Sequence, residues 1–169
     1  MPKKFIFPLL IAAFALVLLG AGCFAENQNG NVNGNANDNA NVPAEWNYLD
    51  LSNQGLTRVE MSVFNQTDLT ELNLSGNNLT GALPAELRQL KNLEILNLSG
   101  NKFTGVPAEV GQLEKLKILN LSNNQLTGLP YEIGNLTQLE ILDVSGNNNI
   151  SAADLEKISS TLPNTEILK

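Results

Sequence analysis

The sequence predicts an α/β repeat solenoid, with a parallel β-sheet on its concave side, short helical or irregular segments on its convex side and a C-terminal capping helix. The first observation is a fixed period, because Leu49, Leu72, Leu96, Leu119 and Leu142 follow one another at steps of 23, 24, 23 and 23 residues. The second is a spacing of leucines two apart, which gives a short strand one buried face. The third is a proline at a similar distance after three of these strands. A period in this range is typical of stacked repeats.

The strand pattern is clearest in three copies, which begin at Leu69, Leu93 and Leu116 and share the spacing L-x-x-L-x-L-x-x-N-x-L, with Phe103 as the last residue of the second copy. Alternation along a strand points Leu96 and Leu98 inward and turns the residues between them outward. We expect the outward residues of successive strands to stack in three columns on the concave face. The first column is Tyr48, Glu71, Ile95, Ile118 and Ile141; the second is Asp50, Asn73, Asn97, Asn120 and Asp143; the third is Ser52, Ser75, Ser99, Ser122 and Ser145.

An asparagine recurs where the chain turns away from each strand, and its amide can satisfy backbone groups that the bend leaves unpaired. The four positions are Asn77, Asn101, Asn124 and Asn147. Beyond each of the first three turns comes a proline, Pro84, Pro107 or Pro130, followed two residues later by Glu. Because proline suits the start of a helix, we expect each to lie in the first turn of a short convex segment.

Both ends of the repeat array are irregular, as end caps should be. In the first copy, Trp46 replaces the first leucine and Gln54 replaces the recurrent asparagine. At the other end, Ser151-Ala-Ala-Asp154 resembles a capping box that opens a helix. That helix would present one apolar face to the last repeat, formed by Leu155, Ile158 and Leu162.

These features resemble the leucine-rich-repeat family over roughly residues 46–169. We therefore expect one domain at residues 44–169, with about five repeats and a cap at each end. The resemblance implies that the four recurrent asparagines form a buried ladder and that the concave face binds a partner. The candidate binding residues are Tyr48, Glu71, Asn73, Ile95, Asn97, Ile118, Asn120, Ile141 and Asp143.

The three stacked isoleucines of the first column have two interpretations. A contiguous exposed apolar stripe often marks an interaction site. Alternatively, β-branched residues simply fill strand positions well, and repeats copy one another. The sequence does not choose between them.

The N-terminal residues predict export. Lys3 and Lys4 precede an apolar run that ends in small residues directly before Cys23, the order typical of a secretory signal. Leu19-Gly-Ala-Gly-Cys23 resembles the lipobox of bacterial lipoproteins, which implies a signal peptide at residues 1–22 and a lipid, such as palmitate, on Cys23. The alternative is an uncleaved membrane anchor, because the apolar run approaches the roughly 20 residues of a spanning helix. Either interpretation places the chain outside the cytoplasm, at the cell membrane or an outer membrane.

The segment at residues 23–43 predicts a disordered linker behind the lipidated cysteine. Asparagine occupies every second position from 27 to 41, and apolar residues are too few to offset the entropy lost on ordering. As a flexible coil of about 20 residues it would reach roughly 25 Å. An aggregation-prone Asn-rich tract is the alternative.

Composition excludes several classes of function. The net charge of -7 disfavours nucleic acid as a partner, and the absence of histidine removes the usual general base and the commonest metal ligand. We therefore expect no enzyme and no cofactor besides the lipid. We expect instead a monomer that is held at a membrane and binds a protein partner. A self-associating structural component of the cell envelope and a carbohydrate or peptidoglycan binder remain as alternatives.

Overall fold

The computed structural model describes residues 47–169. The signal segment, Cys23, the Asn-rich linker and Trp46 lie outside the described residues. The repeat strands are β1 (Tyr48–Asp50), β2 (Glu71–Asn73), β4 (Ile95–Asn97), β6 (Ile118–Asn120) and β7 (Ile141–Asp143). Two further strands, β3 (Thr80–Ala82) and β5 (Lys102–Gly105), lie after the turns that follow β2 and β4. The chain ends in helix α1 (Ala152–Thr161) and strand β8 (Glu166–Leu168).

The main sheet has six parallel strands in the order β1-β2-β4-β6-β7-β8. Equivalent residues of successive repeats are paired, so that Leu72 lies beside Leu96 and Leu96 beside Leu119. The ladder continues beyond the short strands, since Leu74 N donates to Asn97 O at 2.8 Å and Gly76 N donates to Ser99 O at 2.9 Å. The predicted parallel sheet of a repeat solenoid is therefore confirmed.

The core is a stack of leucines behind the sheet. Leu72, Leu96, Leu119 and Leu142 are fully buried, and Leu98 is 1% exposed. Each fully buried leucine contributes roughly 1.5 to 3 kcal/mol relative to an exposed one. A single repeat has no second layer to cover its leucines, so stacking of neighbours supplies the burial.

The convex side consists of four 3-10 turns, Met61–Asn65, Ala85–Gln89, Ala108–Gln112 and Tyr131–Asn135. Pro84, Pro107 and Pro130 each lie one residue before a turn, in extended conformation, and were expected inside the turn. Each proline carbonyl accepts the first hydrogen bond of its turn, for example from Leu87 N at 3.2 Å. Each proline thus lies at the N-cap of its turn, where its carbonyl accepts the first hydrogen bond while its own backbone stays extended.

Two features of the fold were not predicted. Strands β3 and β5 pair in a second, two-stranded parallel sheet, with a register shift between Gly81 and Ala82. Strand β8 follows the capping helix and adds a sixth strand beside β7. Each segment is only three or four residues long and lacks the paired inward leucines of the repeat strands, so it was not recognised as a strand, although Thr-Gly recurs in register at residues 80–81, 104–105 and 127–128.

Helix α1 covers the last repeat, as expected. Ser151 Oγ accepts a hydrogen bond from Asp154 N at 3.1 Å, which caps the helix N-terminus. Its apolar face is buried, with Leu155, Ile158 and Leu162 at most 8% exposed. None of the helices in residues 47–169 has the length and apolar character needed to cross a bilayer.

Candidate functional site

The concave face is formed by the outward residues of the six strands in the main sheet. Strand pairing places its first column in the order Tyr48, Glu71, Ile95, Ile118, Ile141 and Glu166. The second column runs Asp50, Asn73, Asn97, Asn120, Asp143 and Leu168. The structure thus brings together all nine candidate binding residues and adds Glu166 and Leu168, which sequence analysis missed because β8 carries no repeat pattern.

The isoleucine column lies in the middle of this face. Ile95, Ile118 and Ile141 are paired in direct register, and each is half-buried. Neighbouring strands lie about 4.8 Å apart, so the three side chains form an apolar strip about 10 Å long. A partner could therefore bury the remaining apolar surface without any rearrangement of the sheet.

The second column shapes the turn after each strand. Asn97 Oδ1 accepts hydrogen bonds from Ser99 N at 3.1 Å and Ser99 Oγ at 2.8 Å. The same pair of bonds joins Asn73 to Ser75, Asn120 to Ser122, and Asp143 to Ser145. The recurrent Asn-Leu-Ser sequence therefore has a structural explanation, and these oxygen atoms are already engaged within the chain.

The four ladder asparagines join consecutive repeats behind that turn. Asn101 Oδ1 accepts from Leu79 N at 3.1 Å, while Asn101 Nδ2 donates to Leu74 O at 2.9 Å and to Leu98 O at 3.1 Å. The set is at most 9% exposed and comprises Asn77, Asn101, Asn124 and Asn147. Each side chain satisfies groups of its own and the preceding repeat, which fixes the angle between repeats and hence the shape of the concave face.

The residue before each ladder asparagine, and before Gln54 at the equivalent position of the first repeat, adopts a left-handed backbone. The five residues are Asn53, Gly76, Gly100, Asn123 and Gly146, with φ between 54° and 72°. Glycine and asparagine tolerate this conformation, whereas other residues rarely do. This column was not singled out in the sequence, although its restriction to Gly and Asn was the signal that could have revealed it.

Charge is distributed unevenly over the surface. Residues 47–169 contain 14 of the 17 acidic and eight of the 10 basic residues. The twelve outward strand residues of the concave face include four carboxylates, Asp50, Glu71, Asp143 and Glu166, and no basic residue. Most of the net negative charge of this part of the chain therefore lies on one face.

One edge of the concave face carries an ion pair. Lys117 Nζ lies 2.6 Å from Glu94 Oε2, and both side chains are partly exposed. Glu94 directly precedes β4 and Lys117 directly precedes β6. The pair therefore links two neighbouring repeats at the N-terminal ends of their strands, beside Ile95 and Ile118. An exposed pair of this kind contributes about 0 to 1 kcal/mol to stability.

Helix α1 and the last 3-10 turn share a polar contact on the convex side. Lys157 Nζ donates to Tyr131 Oη at 3.0 Å and lies 4.5 Å from the centre of the ring. The hydrogen bond and the charge interaction with Tyr131 raise the pKa of Lys157 above its ordinary value. The contact is solvent-exposed and lies away from the concave face, so we assign it to the cap.

Among residues 47–169, no group of three or more His, Cys, Asp or Glu side chains is arranged to hold a metal ion. A cavity of about 430 Å³ opens at the first repeat, where Leu51, Leu56, Val59 and Val63 contribute its apolar lining. Its charged lining residues, Arg58 and Glu60, form an ion pair with each other at 3.1 Å. The charged groups of this cavity are thus paired with each other. We therefore take the concave face as the better candidate site.

The fold defines a parallel repeat solenoid with an open concave face. The chain belongs to the leucine-rich-repeat family, since the model of the leucine-rich repeat region matches residues 48–162.

Comparison with known proteins supports this assignment. A leucine-rich-repeat protein of Leptospira interrogans is 50% identical, with a TM-score of 0.62; the match covers 66% of this chain and 28% of that one. The plant peptide hormone receptor RGFR1, in complex with RGF2, is 33% identical, with a TM-score of 0.61 and coverage of 72% and 20%. The Ccr4 exoribonuclease subunit of Saccharomyces cerevisiae is 45% identical over 51 residues, which are 30% of this chain and 6% of Ccr4. The chain thus spans under a tenth of that curated relative, and the match indicates shared repeats only.

Proposed function

We propose that this chain is a membrane-tethered binding module that acts outside the cytoplasm and presents its concave face to a protein partner. The observation that carries the proposal is the in-register strip of Ile95, Ile118 and Ile141, which stays partly exposed at the centre of the six-stranded sheet. Burial of apolar surface is the main favourable term in protein association. RGFR1, a similar protein described as a plant peptide hormone receptor, has been solved in complex with RGF2, which supports a polypeptide partner here.

The proposal includes a lipid on Cys23 as the anchor, no catalytic activity and a monomeric state. The support for the anchor is the sequence alone, in which a charged, apolar and small-residue segment ends at that cysteine. A linker of about 20 residues would hold the repeat domain roughly 25 Å from the membrane. Such a spacing leaves the concave face accessible to a partner in the aqueous phase.

The binding face is tested by replacing Ile95, Ile118 and Ile141 together with Glu. The cells that express the full chain are treated with a cross-linker, and the captured proteins are identified by mass spectrometry. The matched control places three Glu residues on exposed convex positions, Gln89, Gln112 and Asn135. We expect the concave variant to lose its cross-linked partner while its circular dichroism is unchanged, and the convex variant to keep it. Retention by the concave variant would assign binding to another surface.

The anchor is tested separately by Cys23→Ser. If a lipid on this residue holds the chain, the variant moves to the aqueous phase when membranes are extracted with a phase-separating detergent. Retention in the detergent phase would contradict lipidation and identify the apolar run at residues 5–19 as the anchor.

A further inference from the structure

The concave face combines an apolar centre with acidic ends. Strand pairing places Glu71 one strand before Ile95 and Glu166 one strand after Ile141, in the same column. Asp143 lies on the neighbouring column of the same face. With strands about 4.8 Å apart, the two glutamates stand about 19 Å from each other and enclose the isoleucine strip.

The net negative charge of residues 47–169 is concentrated on the concave face. Its twelve outward strand residues carry a net charge of -4, whereas residues 47–169 together carry -6. The remaining surface, despite its greater area, accounts for only -2. A field of one sign concentrated on a binding face selects partners of the opposite sign.

We propose that the concave face binds an extended basic segment of a protein, which crosses the strands with apolar side chains on the isoleucine strip and a lysine or arginine near each glutamate. This inference rests on the proposed function, because it takes the concave face as the binding face. The attraction is Coulombic and does not require a vacant hydrogen-bonding site on either glutamate.

The dimensions of the face set the spacing of the motif. An extended chain rises about 3.4 Å per residue and points alternate side chains to the same side. The 19 Å between Glu71 and Glu166 therefore corresponds to about six steps along the peptide. A segment with basic residues at its first and seventh positions and apolar residues at its third and fifth would place all four side chains on the face.

Other occupants fit this face less well. Nucleic acids and acidic peptides would be repelled by the carboxylates. A second copy of the chain would bring two faces of charge -4 together. Sugar rings commonly stack on aromatic side chains, and Tyr48 is the sole aromatic residue among the twelve outward strand residues.

The test uses the full chain in a nonionic detergent and three fluorescent seven-residue peptides. The first has lysine at both ends and leucine at positions three and five, the second replaces the lysines with glutamate, and the third replaces the leucines with serine. We expect fluorescence anisotropy to show saturable binding of the first peptide, weakened by salt, and much weaker binding of the other two. Equal binding of the lysine and glutamate peptides would overturn the inference.

Matched variants locate the effect. The double variant Glu71→Gln and Glu166→Gln should weaken binding of the lysine peptide about three- to tenfold, as expected for the loss of two exposed ion pairs. The control removes the same charge from exposed convex residues, by Glu132→Gln and Glu156→Gln, and should change the affinity less than twofold. Equal loss in both variants would overturn the inference, because it would show a nonspecific charge effect.

Failure of this inference can be distinguished from failure of the proposed function. If the lysine peptide does not bind but the isoleucine variant still loses its cross-linked partner, the concave face binds a partner of different chemistry. If cross-linking also survives in that variant, the proposed binding face is itself wrong. Concentration-dependent self-association that the lysine peptide does not reverse would assign the face to a second copy and contradict the inference.

Discussion

The side chain of Asn123 occupies the space beside Gly146, its equivalent in the next repeat. A methyl group added to Gly146 would come within 2.5 Å of Asn123 Oδ1. Both residues have a left-handed backbone, with φ of 54° and 72°. The turn after the strand therefore restricts position 146 in two ways, through its own conformation and through the asparagine stacked against it.

We expect Gly146→Ala to destabilise the domain by about 2–5 kcal/mol, because the left-handed backbone and the steric overlap both oppose a methyl group. Gly81→Ala is the matched control, since Gly81 has φ of 76° and no atom within 4 Å of the added methyl group. It should lose about 1–2 kcal/mol, from the backbone alone. Urea denaturation measures both values.

The steric part of that loss should be recovered in the double variant Asn123→Gly and Gly146→Ala. Removing the asparagine side chain opens the space that the methyl group needs, although Asn123 Cα still lies 3.2 Å away. A double-mutant cycle without coupling between the two positions would show that the contact does not limit position 146.

The asparagine ladder should be essential for stability. We expect Asn101→Ala to lower the free energy of unfolding by about 2–4 kcal/mol, since it leaves the buried Leu79 N–H without its partner and removes one of the two side-chain hydrogen bonds to each of Leu74 O and Leu98 O. Asn78→Ala, at an exposed neighbouring position, is the control and should change it by less than about 0.5 kcal/mol. Similar values for the two variants would contradict the role assigned to the ladder.

The leucine stack should behave as a tightly packed core. Leu98 is 1% exposed, so Leu98→Ala should cost about 2–5 kcal/mol, through lost burial and the cavity that remains. Leu98→Asp should unfold the domain. Gln89→Ala, at an exposed convex position, serves as the control in thermal melts and should leave the transition in place. A stable Leu98→Asp variant would show that the strand register is wrong.

The contact between the cap and the last repeat should respond to alkaline pH. The hydrogen bond from Lys157 to Tyr131 raises the pKa of Lys157 in the folded state. The stability that this bond contributes is therefore present below the ordinary pKa of lysine and is lost as pH rises through the higher pKa of the folded state. Tyr131→Phe should lower the pKa of Lys157 toward its ordinary value, as measured by NMR titration. Asp154 also faces this contact and should be titrated in parallel. An unchanged pKa in the variant would exclude Tyr131 as the cause.

The sequence by itself determined the repeats. The period of Leu49, Leu72, Leu96, Leu119 and Leu142 fixed both the strand positions and their register, because each inward leucine must stack on its equivalent in the next repeat to be buried. The capping helix was equally visible, since Ser151 and the apolar face of α1 follow local rules of helix formation. Repetition made these signals strong, because the same pattern occurred several times.

Tertiary structure alone decided the last strand of the sheet, the exposure of the outward residues and the distribution of charge. Strand β8 has no leucine spacing of its own and exists as a strand because the edge of β7 pairs with it, which placed Glu166 at the end of the isoleucine column. The exposed fraction of Ile118 likewise depends on the strands on either side of it. The concentration of negative charge on one face depends on the stacking of residues some 23 positions apart. Outward positions are free of the burial constraint that shapes the leucines, and for that physical reason the sequence specified the scaffold more firmly than the surface that it offers to a partner.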